Sequence, residues 1–356
     1  MSQQLRFACI VICVALMATG CADAPKIFRY DNPDPGTTKV WPNPPEKARF
    51  GYVGELTGEN NFRPETLEAR GTAAKIFDWL TGDTNRNPDP VVLRRPQCGV
   101  VDAEGSVFVT DVSRAAVFVF DKPAGTLQIL DSASSELRFI APIGIALGNA
   151  GQILVADAEL HSIFRLDRQG NPLGEFGRDI LKRPTGLARD PIHGIVYVAD
   201  TGAHNIKVFS DDGKLIQVFG HRGEGPGEFN APTYLAFSSD KLYVTDTLNS
   251  RIQILDEQGK MISTFGKRGL YVGDLVRPKG VAVDNDGNIY VIESLYDNLL
   301  VFDQQGRTLL ALGGTGKEAG EFYLPSGVWT DNQNQIYIAD MFNGRITVLQ
   351  FLGGSQ

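Results

Sequence analysis

From residue 95 onward the apolar and polar positions fall into short runs of strand length, either alternating or continuously apolar, cut by Gly, Asp and Asn turns. Four such runs make a unit, and the unit recurs. Each unit opens with a proline, at Pro96, Pro142, Pro184, Pro232, Pro278 and Pro325, spaced by 46, 42, 48, 46 and 47 residues. Behind it come Gly, an apolar residue, Ala or Val, a turn, and an apolar triplet that ends in Asp. PTGLARDPIHGIVYVADTGAHNIKVFSDDGKLIQVFG from Pro184 and PKGVAVDNDGNIYVIESLYDNLLVFDQQGRTLLALGG from Pro278 show the pattern. A four-stranded repeat of this length predicts a propeller blade, and six openings predict six blades.

The sixth unit is short. Only five residues follow IYIADMFNGRITVLQF (336–351), so its outermost strand is missing there. The segment ARFGYVGELTGENNF (48–62) can supply it. Val53 and Gly54 fall where Phe219 and Gly220 fall in the third unit, and Phe62 lies about as far downstream as Phe229. Residues 49–56 are therefore expected to pair as the fourth strand of blade six, closing the ring and leaving no long sheet edge bare. An insertion, 57–93, follows. Within it RPETLEARGTAAKIFDWLTG predicts a short helix, with Pro64 in its first turn, Gly82 at its stop and a partly apolar face of Leu67, Ile76, Phe77 and Leu80. That helix is expected to lie on the side of the propeller or to bind a partner.

Ahead of the folded part, Arg6 and the apolar run from Phe7 to Ala18 read as a signal peptide over residues 1–20. Ala18, Thr19, Gly20 and Cys21 resemble a bacterial lipobox, which implies lipidation of Cys21, a membrane anchor and a place in the cell envelope. Ala22 and Asp23 suit the outer membrane, facing the periplasm; an ordinary cleaved signal peptide is the alternative. Residues 21–46 carry prolines at 25, 33, 35, 42, 44 and 45 and read as an extended tether to a propeller over 47–356. Of the four cysteines, Cys9 and Cys13 lie in the signal, so Cys98 alone remains in the folded part and can form no internal disulfide.

A formal net charge of −8 and a pI near 5.1 argue against a nucleic-acid partner. Abundant Gly (39) and Pro (19) agree with many short strands and tight turns. The segments between units carry a more specific signal. GHRGEGPGEFNAP (220–232) and GGTGKEAGEFYLP (313–325) share a Gly-rich, Gly-x-Phe pattern. Asp246, Asn249, Arg251 and Ile252 recur as Asp340, Asn343, Arg345 and Ile346. Over residues 95–356 the chain resembles the NHL-repeat family of β-propellers. The resemblance implies an all-β, six-bladed fold. Family members that form peptidyl amides bind zinc through His just after the blade-opening proline. Here those places hold Gln97, Ile143, Thr185, Thr233, Lys279 and Ser326, so no metal and no cofactor is expected. Streptogramin-lyase-like relatives use a His-centred site that no His here clearly matches. RNA binding, as in animal NHL proteins, is opposed by charge and export.

The remaining candidates are few. Asp111, Asp157, Asp200, Asp246 and Asp340, with Glu293 in blade five, recur in every unit and read as turn braces accepting backbone N–H bonds, not as catalysts. DNDGN (284–288) opens like a calcium loop, but Leu295 stands where the twelfth-position Glu belongs. His161, His204 and His221 are expected on one face and His193 on the other, all as turn residues. Arg95, Arg183 and Arg277 precede the opening proline in alternate blades. With Arg94, Lys182 and Lys279 they would form a positive collar for a carboxylate or phosphate, or each would pair with a neighbouring blade's carboxylate. Tyr234 replaces a repeat Gly, and Glu293 with Tyr296 replaces a repeat turn; these are sites of grafted function or of drift. The expected role is a binding or scaffold module for a protein or an anionic ligand. The alternative is a lyase or hydrolase with its site at the channel mouth.

Overall fold

The structure, a computed structural model, describes residues 26–33, 36, 39–64 and 90–353. The expected signal peptide, Cys21 and the helix within the insertion lie outside the described residues. Contacts divide the chain into residues 28–62 with 87–356, which form the propeller, and residues 1–27 with 63–86, of which only 26, 27, 63 and 64 are described.

Each of blades one to five is a four-stranded antiparallel meander with its first strand innermost. The innermost strands, from Pro96–Val101 in blade one to Val328–Thr330 in blade six, touch one another in turn around a central channel. The second and third strands are almost wholly buried, as in Ile289–Glu293 and Asn298–Phe302 of blade five. Outermost strands such as Pro172–Phe176 are largely exposed. The apolar core divides into one cluster for each seam between adjacent blades.

The seams explain the proline–glycine motif. A Cβ at Gly144 would lie 2.0 Å from the Thr185 carbonyl oxygen of the next blade, and one at Gly327 would lie 2.3 Å from that of Gln97. Only a residue without a side chain lets neighbouring innermost strands approach so closely. The repeated carboxylates explain the Asp. Asp111 accepts the N–H groups of Arg94 and Arg95 (2.6 and 2.9 Å) before the proline, and those of Ser113 and Arg114 (2.9 and 3.0 Å) in its own turn. Asp157 does the same in blade two, whereas Asp200 joins the Lys182 and Arg183 N–H groups to the Lys207 amine of the third strand.

Blade six closes as expected. Phe50–Leu56 pairs antiparallel with Arg345–Phe351, with Glu55 opposite Thr347 and Phe50 opposite Phe351. The tether expectation needs correction. Within residues 21–46, Val40–Trp41 adds a fifth strand to blade six by pairing with Phe50 and Gly51. Asp31 bridges Glu55, and the Tyr30 hydroxyl lies 3.2 Å from the Gln335 side-chain oxygen. Pro42, Pro44 and Pro45 all follow the strand, so none removes a ladder donor, and Trp41 gains apolar cover from the core around Phe50 and Phe322. The described ends of the insertion lie side by side, with Leu93 N–H on the Thr57 carbonyl at 2.8 Å.

Candidate functional site

The channel has two mouths, a proline face where the innermost strands begin and a hairpin face where they end. On the proline face the three equivalent arginines meet three environments. Arg95 lies on the ring of Phe342, 5.0 Å from its centroid. Arg183 pairs with Glu159 of the preceding blade at 2.6 Å, and both side chains are half-exposed, so the pair is worth little. Arg277 is exposed and makes no ion pair among the described residues. The three alternating arginines, on blades one, three and five, are therefore not equivalent in their surroundings.

Lys279 sharpens that asymmetry. It is half-buried, and its amine has no hydrogen bond or ion pair among the described residues. Burial lowers its pKa, and the neighbouring Arg277 charge lowers it further. The Thr245 hydroxyl bonds the Lys279 carbonyl at 2.7 Å and fixes its backbone. Tyr296, Tyr323 and Phe342, in turns and loops of blades five and six, are exposed rings, the last two in contact with centroids 5.6 Å apart. Glu293, singled out as a departure, does the work of the repeat Asp: its carboxylate accepts N–H bonds from Val276, Arg277 and Leu295. Burial raises its pKa against those bonds.

Tyr234 and Cys98 prove to be linked. Tyr234 is buried, and its hydroxyl reaches across the ring from blade four to donate to the Gln97 carbonyl of blade one, 3.3 Å away. Burial raises its pKa far above the usual phenol range, so it stays a neutral donor. Cys98 is the extra residue in blade one's opening, and it packs against the same core as Tyr234. Its thiol is pushed up to about 11 by burial, which leaves it protonated and unreactive near neutrality. Cys98 also lines a cavity of about 470 Å³ that runs to the hairpin face. Val100, Leu147, Leu187, Phe237, Val281 and Trp329 are among its lining. At its rim Arg189 is clamped in both directions by Asp211, at 2.7 and 2.5 Å.

The histidines are turn residues, two of them left-handed: His161 and His204 both have φ of 55°. His193 on the hairpin face differs. Its Nδ1 is 2.6 Å from Asp190 Oδ2 and 3.8 Å from Glu257 Oε1, and the three ligating atoms lie within 4.8 Å of one another. An imidazole with two carboxylates is a donor set for a divalent cation such as zinc. As it stands it is an ion pair, with the Asp190 hydrogen bond raising the His193 pKa. Sequence spacing could not reveal this group, because Glu257 arrives from the neighbouring blade.

Comparison with known proteins fits this architecture. A family model described as a 6-bladed beta-propeller matches residues 275–355. The peptidylglycine alpha-amidating monooxygenase of Rattus norvegicus is 34% identical over 125 residues, 31% of this chain and 13% of that protein. The chain thus spans only a small part of such relatives. The NHL-repeat-containing protein 4 of Mus musculus is 31% identical over 107 residues, 28% of this chain and 77% of that one. Among solved structures, a streptogramin B lyase superimposes with a TM-score of 0.55 at 14% identity, covering 72% of this chain and 94% of its own. A gluconolactonase from Xanthomonas campestris gives 0.55 at 17% identity, covering 73% and 89%. At those identities the likeness is one of fold. With the repeat, the closed ring and the match over most of a repeat protein in hand, the chain belongs to the NHL-repeat family of six-bladed β-propellers.

Proposed function

We propose that the protein is a binding module whose proline face holds an anionic group, presented by a protein partner or as a small ligand. The observation that carries this is the Arg277–Lys279 pair. Two cations stand side by side at the channel mouth, neither in a side-chain ion pair among the described residues, and the nearby Glu293 carboxylate is engaged by the Val276, Arg277 and Leu295 N–H groups. A half-desolvated amine beside a guanidinium is costly by itself, and a bound carboxylate or phosphate offsets that cost through charge-assisted bonds. The exposed Tyr296, Tyr323 and Phe342 give a partner segment apolar contacts around the charge. With Cys21 as lipid anchor, the module would work as a scaffold in a bacterial envelope, at the outer membrane and facing the periplasm.

An enzymatic reading rests on relatives named as a lyase and a gluconolactonase. The positions behind the opening prolines do not favour it. Thr185 spends its hydroxyl on the Thr233 carbonyl (2.8 Å) and Ser326 spends its own on that of Pro96 (3.0 Å). Those side chains fasten blades together. Titration calorimetry with inorganic phosphate and with succinate tests the binding proposal. The Arg277→Ala/Lys279→Ala double variant is expected to lose at least about tenfold in affinity, roughly 1.4 kcal/mol. Equal binding by wild type and double variant removes the site.

A further inference from the structure

Three inter-blade loops are built on one plan. Phe229 N–H bonds the His221 carbonyl, Phe322 N–H bonds that of Gly314, and Leu275 N–H bonds that of Lys267, each at 2.9 Å. In each loop the acidic residue just before that apolar anchor braces the tip. Glu228 accepts the Gly225 N–H at 2.8 Å, Glu321 accepts the Glu318 N–H at 3.1 Å, and Asp274 accepts the Tyr271 N–H at 2.9 Å. The tips themselves differ. They read Glu224, Gly225, Pro226 in the first loop and Lys317, Glu318, Ala319 in the second. In the third, between blades four and five, they read Leu270, Tyr271, Val272, with relative exposures of 85, 83 and 77%.

This apolar tip is not a loose end. Asp274 and Leu275 are buried, and a second bond, Asp274 N–H to the Tyr271 carbonyl at 2.9 Å, closes the turn. The fold holds three large apolar side chains in water where its own sister loops hold charged or small residues. At the base of the same loop stand Lys267 and Arg268, both exposed and neither in an ion pair among the described residues. An apolar tip with two unpaired cations at its base, on a chain of net charge −8, matches the chemistry of an anionic lipid surface. A convex tip enters a fluid interface without needing a matching pocket, and Tyr sits well at headgroup level.

We propose that residues 267–272 are a membrane-contact tip: Leu270 and Val272 enter the acyl boundary of an anionic leaflet while Lys267 and Arg268 meet lipid phosphates. Such a contact is weak and reversible alone. It orients a body that a second signal holds at the surface. The inference is independent of Arg277 and Lys279, which the test leaves unaltered.

The test uses the full chain carrying Tyr271→Trp, read as the fluorescence this substitution adds over the unsubstituted chain. Vesicles are phosphatidylcholine with about one third phosphatidylglycerol, with and without brominated acyl chains. The added emission is expected to shift to the blue and to be quenched by the brominated lipid. Lys267→Ala/Arg268→Ala should weaken that quenching about fivefold or more at low salt. Leu270→Glu/Val272→Glu, tested by stopping the same signal, should lower it at least about tenfold, with thermal unfolding unchanged because the tip is exposed. Water-like, unquenched emission from protein that sediments with the vesicles overturns the proposal. So does a blue shift that appears without lipid on raising the protein concentration, which would assign the tip to a second copy of the chain.

Discussion

Blades four and six contain the same turn, and the partners of its arginine differ. In blade four Arg251 Nε bonds Asp246 Oδ2 at 2.8 Å, and its remaining nitrogens bond the carbonyls of Glu224, Gly225 and Glu228. In blade six Arg345 Nε bonds Asp340 Oδ2 at 2.8 Å and the carbonyls of Lys317, Glu318 and Glu321. It has one partner more: Glu55 Oε1 at 2.6 Å, delivered by the N-terminal strand. The Arg345 side chain is 7% exposed against 15% for Arg251. An element that braces a loop in one blade has become, in the other, a clasp between the two ends of the ring. A second difference runs the other way. Gln253 bonds Glu228 and Asp246, whereas Thr347, its counterpart in register, keeps a buried hydroxyl with no partner among the described residues.

The largest expected effect separates the two arginines. Arg345→Ala leaves Glu55 and Asp340 buried without their cation and should destabilise the protein by about 3–5 kcal/mol. Arg251→Ala strands one carboxylate that keeps Asn249 and Gln253, and should cost about 1–3 kcal/mol. Urea unfolding of both variants checks this; equal losses would break the comparison. Next comes Thr347→Val. It removes an unsatisfied buried hydroxyl and should be neutral or stabilising by up to about 1 kcal/mol, while Gln253→Leu should destabilise. The smallest effect is in pH dependence. Burial raises the Glu55 pKa, only partly opposed by Arg345 and the Tyr52 hydroxyl, and burial raises that of Asp340 as well. A carboxyl whose folded pKa lies above its unfolded value binds protons on folding, so stability falls as pH rises from about 4 through the folded value. Glu55→Gln should flatten that fall in thermal unfolding. Thr264→Val, at the matching position of blade four, should leave the slope as it is.

Much of this ring could be read from the chain because its constraints are local and repeated. Proline recurs in each unit, the glycine that neighbouring strands press upon in all but blade four, and the bracing carboxylate in all six, as Glu in blade five; a blade one strand short announces its need for another. Val40–Trp41 stayed hidden because the prolines around it speak for a tether, and only the apolar surface of blade six overrules them. Tyr234 was visible as a departure, yet its meaning depends on Gln97 and Cys98, which lie across the ring. The three arginines look equivalent in sequence. Their neighbours, Phe342, Glu159 and Lys279, make them different, and only folding supplies neighbours. The Asp190, His193 and Glu257 group and the exposed Leu270, Tyr271 and Val272 were missed for related reasons. One is assembled from two blades, and the other is a short apolar run that looks like any strand fragment until its exposure is known.

The clasp between Glu55 and Arg345 also sets a timetable. The two residues are 290 positions apart. At the usual pace of synthesis, about 5–20 residues per second, Glu55 waits roughly 15 to 60 s for its partner to be made. Through that interval the edge of Phe50–Leu56 that faces Arg345–Phe351 has no strand to lie against, and a nascent chain with an unmated edge is open to capture by another copy of itself. Arg345–Phe351 and Phe50–Leu56 must find each other before the ring exists, so closing the ring is a far longer-range step than forming any one meander.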